Sequence, residues 1–238
     1  MKNRSVIPEA MTHFSPSHPR PAVTVDIVIF TIRDSCLQLL LIQRGEEPFI
    51  GSWALPGGFV RLNESLEEAA SRELEEETGI SQAYLEQLYT YGDPKRDPRD
   101  RIITVAYFAL IPPDEQIRAE GGTDVTQAAW FPYDQLPLLA FDHREIVSYA
   151  LRRLRYKLEY SAVGFELLPE EFTLTELQAT YEIILGVTLD KRNFRRRILE
   201  ACVIEATPKM RLGEGRPARL YRYRPDAVAE VKVRRLFP

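Results

Sequence analysis

Between Gly58 and Ile80 the chain reads GFVRLNESLEEAASRELEEETGI, and Glu73, Glu76 and Glu77 within it fall at i, i+3 and i+4. On a helix those positions share a face. Carboxylates gathered there are hard oxygen ligands, suited to Mg2+ or Mn2+. Without a positive partner such clustering costs free energy. Arg72 stands four residues from both Glu68 and Glu76, so it can order the acidic cluster. The competing reading is a charged, solvated helix face. Gly58, Gly79 and Arg72, all in register with the glutamates, argue against it.

The elements that must position these groups are legible nearby. Ser65 and Glu68 form an S-x-x-E capping box, so the spacing predicts a helix from Ser65. Gly79 stands where the helix end needs a left-handed residue. Leu66, Ala69 and Ala70 supply the apolar part of the face that the three glutamates continue. Upstream, Ala22–Ile32 and Cys36–Arg44 read as strands around an Arg33-Asp34-Ser35 turn, and Trp53–Val60 leads into the helix. Tyr84–Tyr91 and Arg101–Ile111 read as further strands, separated by the polar GDPKRDPRD loop. Ala128–Tyr133 reads as a last short strand, and Asp142 as the cap of a helix over His143–Tyr156. His143, in that helix's first turn, is expected to be structural. Strands interleaved with helices predict an α/β sandwich.

A different pattern begins near Ser161. Thr173 and Glu176 form a second capping box, and Leu174, Leu177, Tyr181 and Ile184 recur at helical spacing up to Gly186. Asp190 caps the next helix, on which Phe194, Ile198, Ala201 and Cys202 share a face. Lys191, Arg192, Asn193, Arg195, Arg196 and Arg197 crowd the rest of it. Two short helices joined by a tight turn make a helix-turn-helix. Val203–Thr207 and Ala218–Arg224 then read as a hairpin, or wing. A basic run by itself is usually a solvated face. Here it opens the second helix, whose N-terminal residues a recognition helix presents to the major groove. Arginine suits guanine edges and phosphates, Asn193 suits adenine, and Arg216 and Arg219 on the hairpin can reach an adjacent backbone or minor groove.

Composition bounds the rest. The chain has 238 residues, 45% hydrophobic and 28% charged, a profile of one large or two small globular domains. No apolar run approaches the ~20 residues of a membrane span. The first residues lack an apolar signal segment and read as a loose tail. Two cysteines, Cys36 and Cys202, in apolar settings, suit a reducing cytoplasm. Residues 161–238 carry 14 Lys+Arg and 11 Asp+Glu, a net +3 within a chain of net −4. An acidic N-terminal part with a basic C-terminal part predicts two modules with different partners. The expected division is a tail at 1–20, an α/β module at 21–160 and a winged helix at 161–238.

Gly58, Glu64, Arg72, Glu73, Glu76, Glu77 and Gly79 fill the fixed positions of the Nudix box, so the chain resembles the Nudix hydrolases. With a winged helix behind the box, and with WALPGGFV, LEQLYTYGDPKRDPRDR, TVAYFAL and LAFDH around it, it resembles the bacterial Nudix-related transcriptional regulators. That resemblance implies a Nudix α/β/α sandwich followed by a winged helix. It implies metal ions on Glu73, Glu76, Glu77 and the Gly58 carbonyl, with Arg72 and Glu64 as an ordering pair beneath them. The metal would neutralise a diphosphate and activate water for attack at phosphorus. Arg44, Asp93, Arg96 and Arg99 are candidates for holding phosphate or ribose. The implied ligand is ADP-ribose or a related nucleoside diphosphate, and the implied partner is a DNA operator of NAD-metabolism genes, bound by a cytoplasmic homodimer. The alternative is a plain hydrolase whose C-terminal module serves dimerisation.

Overall fold

The computed structural model describes residues 20–81, 83–113, 125–159, 161–212 and 217–224. The expected N-terminal tail falls almost wholly outside them. Strand β1 (Ala22–Arg33) is the axis of a mixed seven-stranded sheet. It runs parallel to β6 (Ile102–Leu110) from Ala22 to Phe30, and antiparallel to β2 (Cys36–Arg44) beyond that. Asp34 and Ser35, both at positive φ, make the intervening tight turn. β5 (Tyr84–Tyr91) pairs with the far side of β6.

The stretch Trp53–Val60 does not form one strand. It splits into β3 (Trp53–Ala54) on β2 and β4 (Gly57–Phe59) on β1. Pro56, between them, has no N–H for a ladder. The last strand, β7 (Val125–Pro132), is longer than its apolar residues suggest. As the outermost strand it pairs along β2 from Gln38 as far as Arg44, with a bulge at Gln43. Pairing on an exposed edge leaves no apolar signature.

Both sheet faces are covered, which is why β1 reads as continuously apolar. Val25, Ile27 and Ile29 face Ala69, Ala70 and Leu74 of α1 (Leu66–Thr78). Val28 and Phe30 face the other way, toward Ile146, Ala150 and Leu154 of α2 (His143–Leu158). That second core does not end with the sheet. It runs through a 3-10 turn at Val163–Leu167 into α3 (Leu174–Leu185) and α4 (Lys191–Glu200), reaching Leu177, Tyr181, Ile184, Phe194 and Ile198. The hairpin β8 (Ile204–Arg211) and β9 (Ala218–Tyr223) completes a winged helix, with Phe172 and Tyr221 exchanging backbone hydrogen bonds.

Both capping boxes form, and Gly79 and Gly186 end their helices at φ 73° and 72°. The cysteines do not sit in apolar settings: both are exposed, Cys36 at the β1–β2 turn and Cys202 just past α4 at φ 54°. Cys202 therefore leaves the face that Phe194 and Ile198 bury.

Because one core serves both modules, they should unfold together. Leu154→Ala, at a fully buried site, should cost about 2–5 kcal/mol. In denaturant, the fluorescence of Trp53 and Trp130 in the sheet and the far-UV signal should share one midpoint, displaced together. Two midpoints with only one displaced would mean that the modules are independent.

Candidate functional site

Helix α1 does not present its three glutamates equally. Its buried stripe continues from Ala69 and Ala70 to Glu73 and Glu77, whereas the Glu76 side chain is 48% exposed at the rim. Arg72 binds the group together. Its Nε and Nη2 donate to the two Glu64 oxygens at 2.9 and 2.6 Å. Its Nη1 donates to Glu73 at 2.6 Å and Glu76 at 3.1 Å, and Nη2 also reaches the Phe59 carbonyl at 3.2 Å. The expected Arg72–Glu68 contact is absent, because Glu68 turns back to the Ser65 N–H in the capping box. The Arg72 fork holds the Glu64 pKa down to about 2. Burial pushes that of Glu73 up.

The two glycines before the box bring backbone against these acids. The Gly57 N–H donates to Glu77 at 2.9 Å. A Cβ on Gly58 would lie 2.3 Å from Glu73 Oε1, so a larger residue there would push the Glu73 carboxylate from its place. The donor set is all oxygen, as a hard dication requires. It is not arranged as a finished cage: among the described residues no three His, Cys, Asp or Glu groups stand ready to hold a metal. Glu73 and Glu76 are occupied by arginine, and Glu77 by the Gly57 amide. The residues fit a divalent ion by chemistry, provided that it takes over from Arg72.

Glu77, Gly57 and Gly58 form one wall of a cleft whose other walls include Asp26, Arg44, Phe59, Arg96, Asp97, Arg99, Phe141 and His143. Arg96 is 4% exposed and answers two carboxylates, Asp142 at 2.8 and 2.9 Å and Asp26 at 3.2 Å. Burial opposes its charge, but the Asp142 hydrogen bonds and both negative charges outweigh burial and raise its pKa. Asp142 stands at the N-terminus of α2 as expected, yet its side chain caps nothing, because Arg96 holds both oxygens. His143 accepts the Leu55 N–H on Nδ1 at 2.9 Å and turns Nε2 toward Asp26 at 3.6 Å. Burial lowers its pKa, so the ring is neutral.

Of the anticipated ligand-binding residues, Arg44, Arg96 and Arg99 line the cleft. Arg99 pairs with Asp97 and lies over both the Phe59 and Phe141 rings. Arg44 lies over Phe141 and donates to the Pro48 carbonyl. Asp93 is outside the lining; it is exposed in a turn, accepting the Lys95 N–H. Asp26, Phe141 and Asp142 went unnoticed as site residues. Asp26 had a signal, as the one charge inside an apolar strand.

On α4, the Asp190 side chain accepts the Asn193 N–H, and Phe194 and Ile198 are buried against α3. Lys191, Arg192, Asn193 and Arg196 are exposed together. Arg196 bonds Asn193 and Glu200, while Arg195 leans on Thr175 of α3, and Arg197 is half-buried. Arg219 is exposed on β9, and Arg216 lies outside the described residues. The hairpin adds Lys209, Arg211 and Arg222, each in a surface ion pair.

The family model for the NUDIX domain matches residues 20–151, and that for the NrtR DNA-binding winged helix domain matches residues 164–223. An ADPR responsive transcriptional repressor NtrR from Acinetobacter baylyi is 46% identical over 213 residues, 87% of this chain and 83% of that protein. An ADP-ribose pyrophosphatase from Methanocaldococcus jannaschii is 39% identical over 56% of this chain and 74% of its own length. The crystal structure of Shewanella oneidensis NrtR complexed with a 27mer DNA superposes with a TM-score of 0.77 at 41% identity, covering 86% of this chain and 94% of that one.

The neutral His143 makes a pH prediction. Its folded pKa lies below the usual 6.5, so below about pH 6.5 the unfolded chain binds more protons, and acid erodes the stability of the fold down to the folded pKa. His143→Asn keeps an acceptor for the Leu55 N–H but does not titrate. Denaturation of both proteins between about pH 7 and pH 5 should show wild type losing more stability on acidification. Parallel curves would mean that folding leaves the His143 pKa where it stands in the unfolded chain.

Proposed function

This chain belongs to the NUDIX family, with a winged helix of the NrtR DNA-binding type behind the Nudix domain, and we propose that it is a transcriptional regulator that senses ADP-ribose. The observation that carries this reading is the union, on one core, of a cleft where arginines face the box carboxylate Glu77 and a helix with an exposed basic face. The proposed division is 21–160 for the Nudix module and 161–238 for the winged helix. Operators of NAD-metabolism genes, a homodimer and a cytoplasmic location complete the reading. No helix among the described residues is long and apolar enough to cross a membrane.

In the cleft, Arg44, Arg96 and Arg99 face an anionic ligand, and the Phe59 and Phe141 rings offer flat apolar surface at its mouth. Nudix hydrolases generally use divalent metals. Mg2+ or Mn2+ would be held here by Glu73, Glu76, Glu77 and the Gly58 carbonyl. It would supply charge neutralisation at the diphosphate and a more acidic water. The chain's own work is orientation: Arg72, fixed by the Glu64 fork, keeps Glu73 and Glu76 within reach of one another. The retained reaction is cleavage of ADP-ribose to AMP and ribose 5-phosphate.

Purified protein with Mg2+ should release AMP from ADP-ribose, and Glu77→Gln should slow it by about 10^2-fold or more. An unchanged rate in the variant would remove Glu77 from the site. An inert wild type would leave a sensor without turnover.

DNA binding should weaken steeply with salt, as counterion release requires. Replacing Arg192, Arg195 and Arg196 together with Ala should abolish retention of the protein's own upstream DNA in a gel shift while leaving hydrolysis intact. A wild type that shifts no DNA would favour a plain hydrolase with a structural C-terminal module, and a variant that still shifts it would remove these three arginines from the DNA contact.

A further inference from the structure

The two sites are joined by one helix. α2 has 16 residues, about 24 Å of length. Its N-terminus stands at the cleft, where Asp142 precedes the lining residue His143. Its C-terminus stands against the helix-turn-helix. There Arg155 donates from Nε to the Ile184 carbonyl at 2.7 Å. Ile184 is in the last turn of α3, where carbonyls have no partner within the helix. Close by, Gly164 is wedged so tightly between Leu158 of α2 and Tyr181 of α3 that a Cβ would meet them at 2.9 and 3.0 Å. The α3–α4 turn is itself pinned, Glu182 accepting the Leu189 N–H at 2.7 Å and Gln178 donating to the Leu189 carbonyl at 3.0 Å. Whatever moves the end of α3 therefore moves α4.

The cleft end has two available arrangements. In this one Arg96 holds the Asp142 carboxylate, and the helix goes without a side-chain cap. Asp is among the residues that cap helices best, so its carboxylate can compete for the first-turn N–H groups of α2, where those of Glu145 and Ile146 now bond the Asp142 carbonyl at 2.9 and 3.3 Å. Phe141, just before it, is held at φ 51°, a conformation costly for an aromatic residue. Its ring touches Phe49, His143, Arg44 and Arg99. The groups facing Arg96 are Asp26, Asp97 and Asp142, so its charge is already shared among carboxylates. A diphosphate entering the cleft competes for that charge, and Asp142 is the competitor with somewhere else to go.

We propose that α2 is the strut that carries ligand occupancy to the DNA-binding helices, with Asp142 and Arg155 as positioning residues at its two ends. The proposal rests on the sensor reading above and names its route. Ligand draws Arg96 from Asp142, Asp142 caps α2, and the helix shifts as a packed body. Its far end then resets the α3 terminus through Arg155 and the Leu158–Gly164–Tyr181 contact. Buried Ile146, Val147, Ala150, Leu151 and Leu154 make the helix move as a unit rather than bend.

The test is the operator Kd of full-length protein with and without saturating α,β-methylene ADP-ribose, which resists cleavage, with ligand affinity measured separately by calorimetry. Wild type should bind DNA more weakly with ligand, by roughly 5- to 150-fold. Arg155→Met should bind the ligand as wild type does, while its ratio of DNA affinities falls to near one. Asp142→Asn, which caps without holding Arg96, should bind ligand more tightly and free DNA more weakly than wild type. An Arg155→Met ratio equal to that of wild type, at equal ligand affinity, overturns the strut and leaves the sensor reading standing. A wild-type ratio of one overturns the sensor reading and the strut with it. Melting curves check the fold. If Arg155→Met does not fold, Arg155→Lys, which keeps a charge but loses the planar donor, carries the same comparison.

Discussion

The buried face of α2 belongs to two modules at once. Ile146, Ala150 and Leu154 cover the sheet, and Leu158 meets Gly164 and Tyr181 of the winged helix. A helix that must satisfy both packings cannot slide against one without disturbing the other, because protein interiors are close-packed and yield little to small displacements. The helix end at the cleft and the helix end at α3 are thus parts of one rigid element. The sheet in turn fixes the cleft: β1 carries Asp26, pairs with Gly57 and Gly58 through β4, and so sets the distance between the acids of α1 and the arginines of the loop before β6.

Charge dictates the details on that scaffold. A buried ion without a partner costs several kcal/mol, and the carboxylates of the two arginine clusters are matched accordingly. Glu73 and Glu64 share Arg72; Asp26 and Asp142 share Arg96. Breaking either arginine's set would strand a carboxylate, which is why these clusters hold their geometry in the resting protein. His143 contributes without charge, as an acceptor for the Leu55 N–H beside Pro56, where the sheet ladder is interrupted.

What the sequence made legible was local. Ser65 with Glu68, Thr173 with Glu176, and the two glycine ends are written within a turn of one another, and the same short reach betrayed the box. What it hid was long-range. Asp26 and Arg96 meet across 70 positions, and Arg96 and Asp142 across 46. From sequence Asp142 looks like an ordinary helix cap, and only the fold shows that Arg96 has claimed it. The three glutamates likewise looked equivalent at helical spacing. The packing of α1 on the sheet buries Glu73 and Glu77 and leaves Glu76 at the rim, a distinction that periodicity alone cannot draw.

The separation of the two arginine clusters bears on how one cleft could both sense and cut. On the proposed reading, a dication must draw Glu73 and Glu76 away from Arg72. Arg72 can release them without being lost, since its Nε and Nη2 remain on Glu64. Burial already strains the Glu73 charge, and a dication would relieve that strain more fully than one shared guanidinium. Nothing in this exchange involves Arg96 or Asp142. An anionic ligand can therefore act on α2 through Arg96 whether or not the carboxylates of α1 have exchanged arginine for metal. Sensing then depends on the ligand alone, whereas turnover depends on the ligand and the metal together, and the same bound molecule reports its presence before it is consumed.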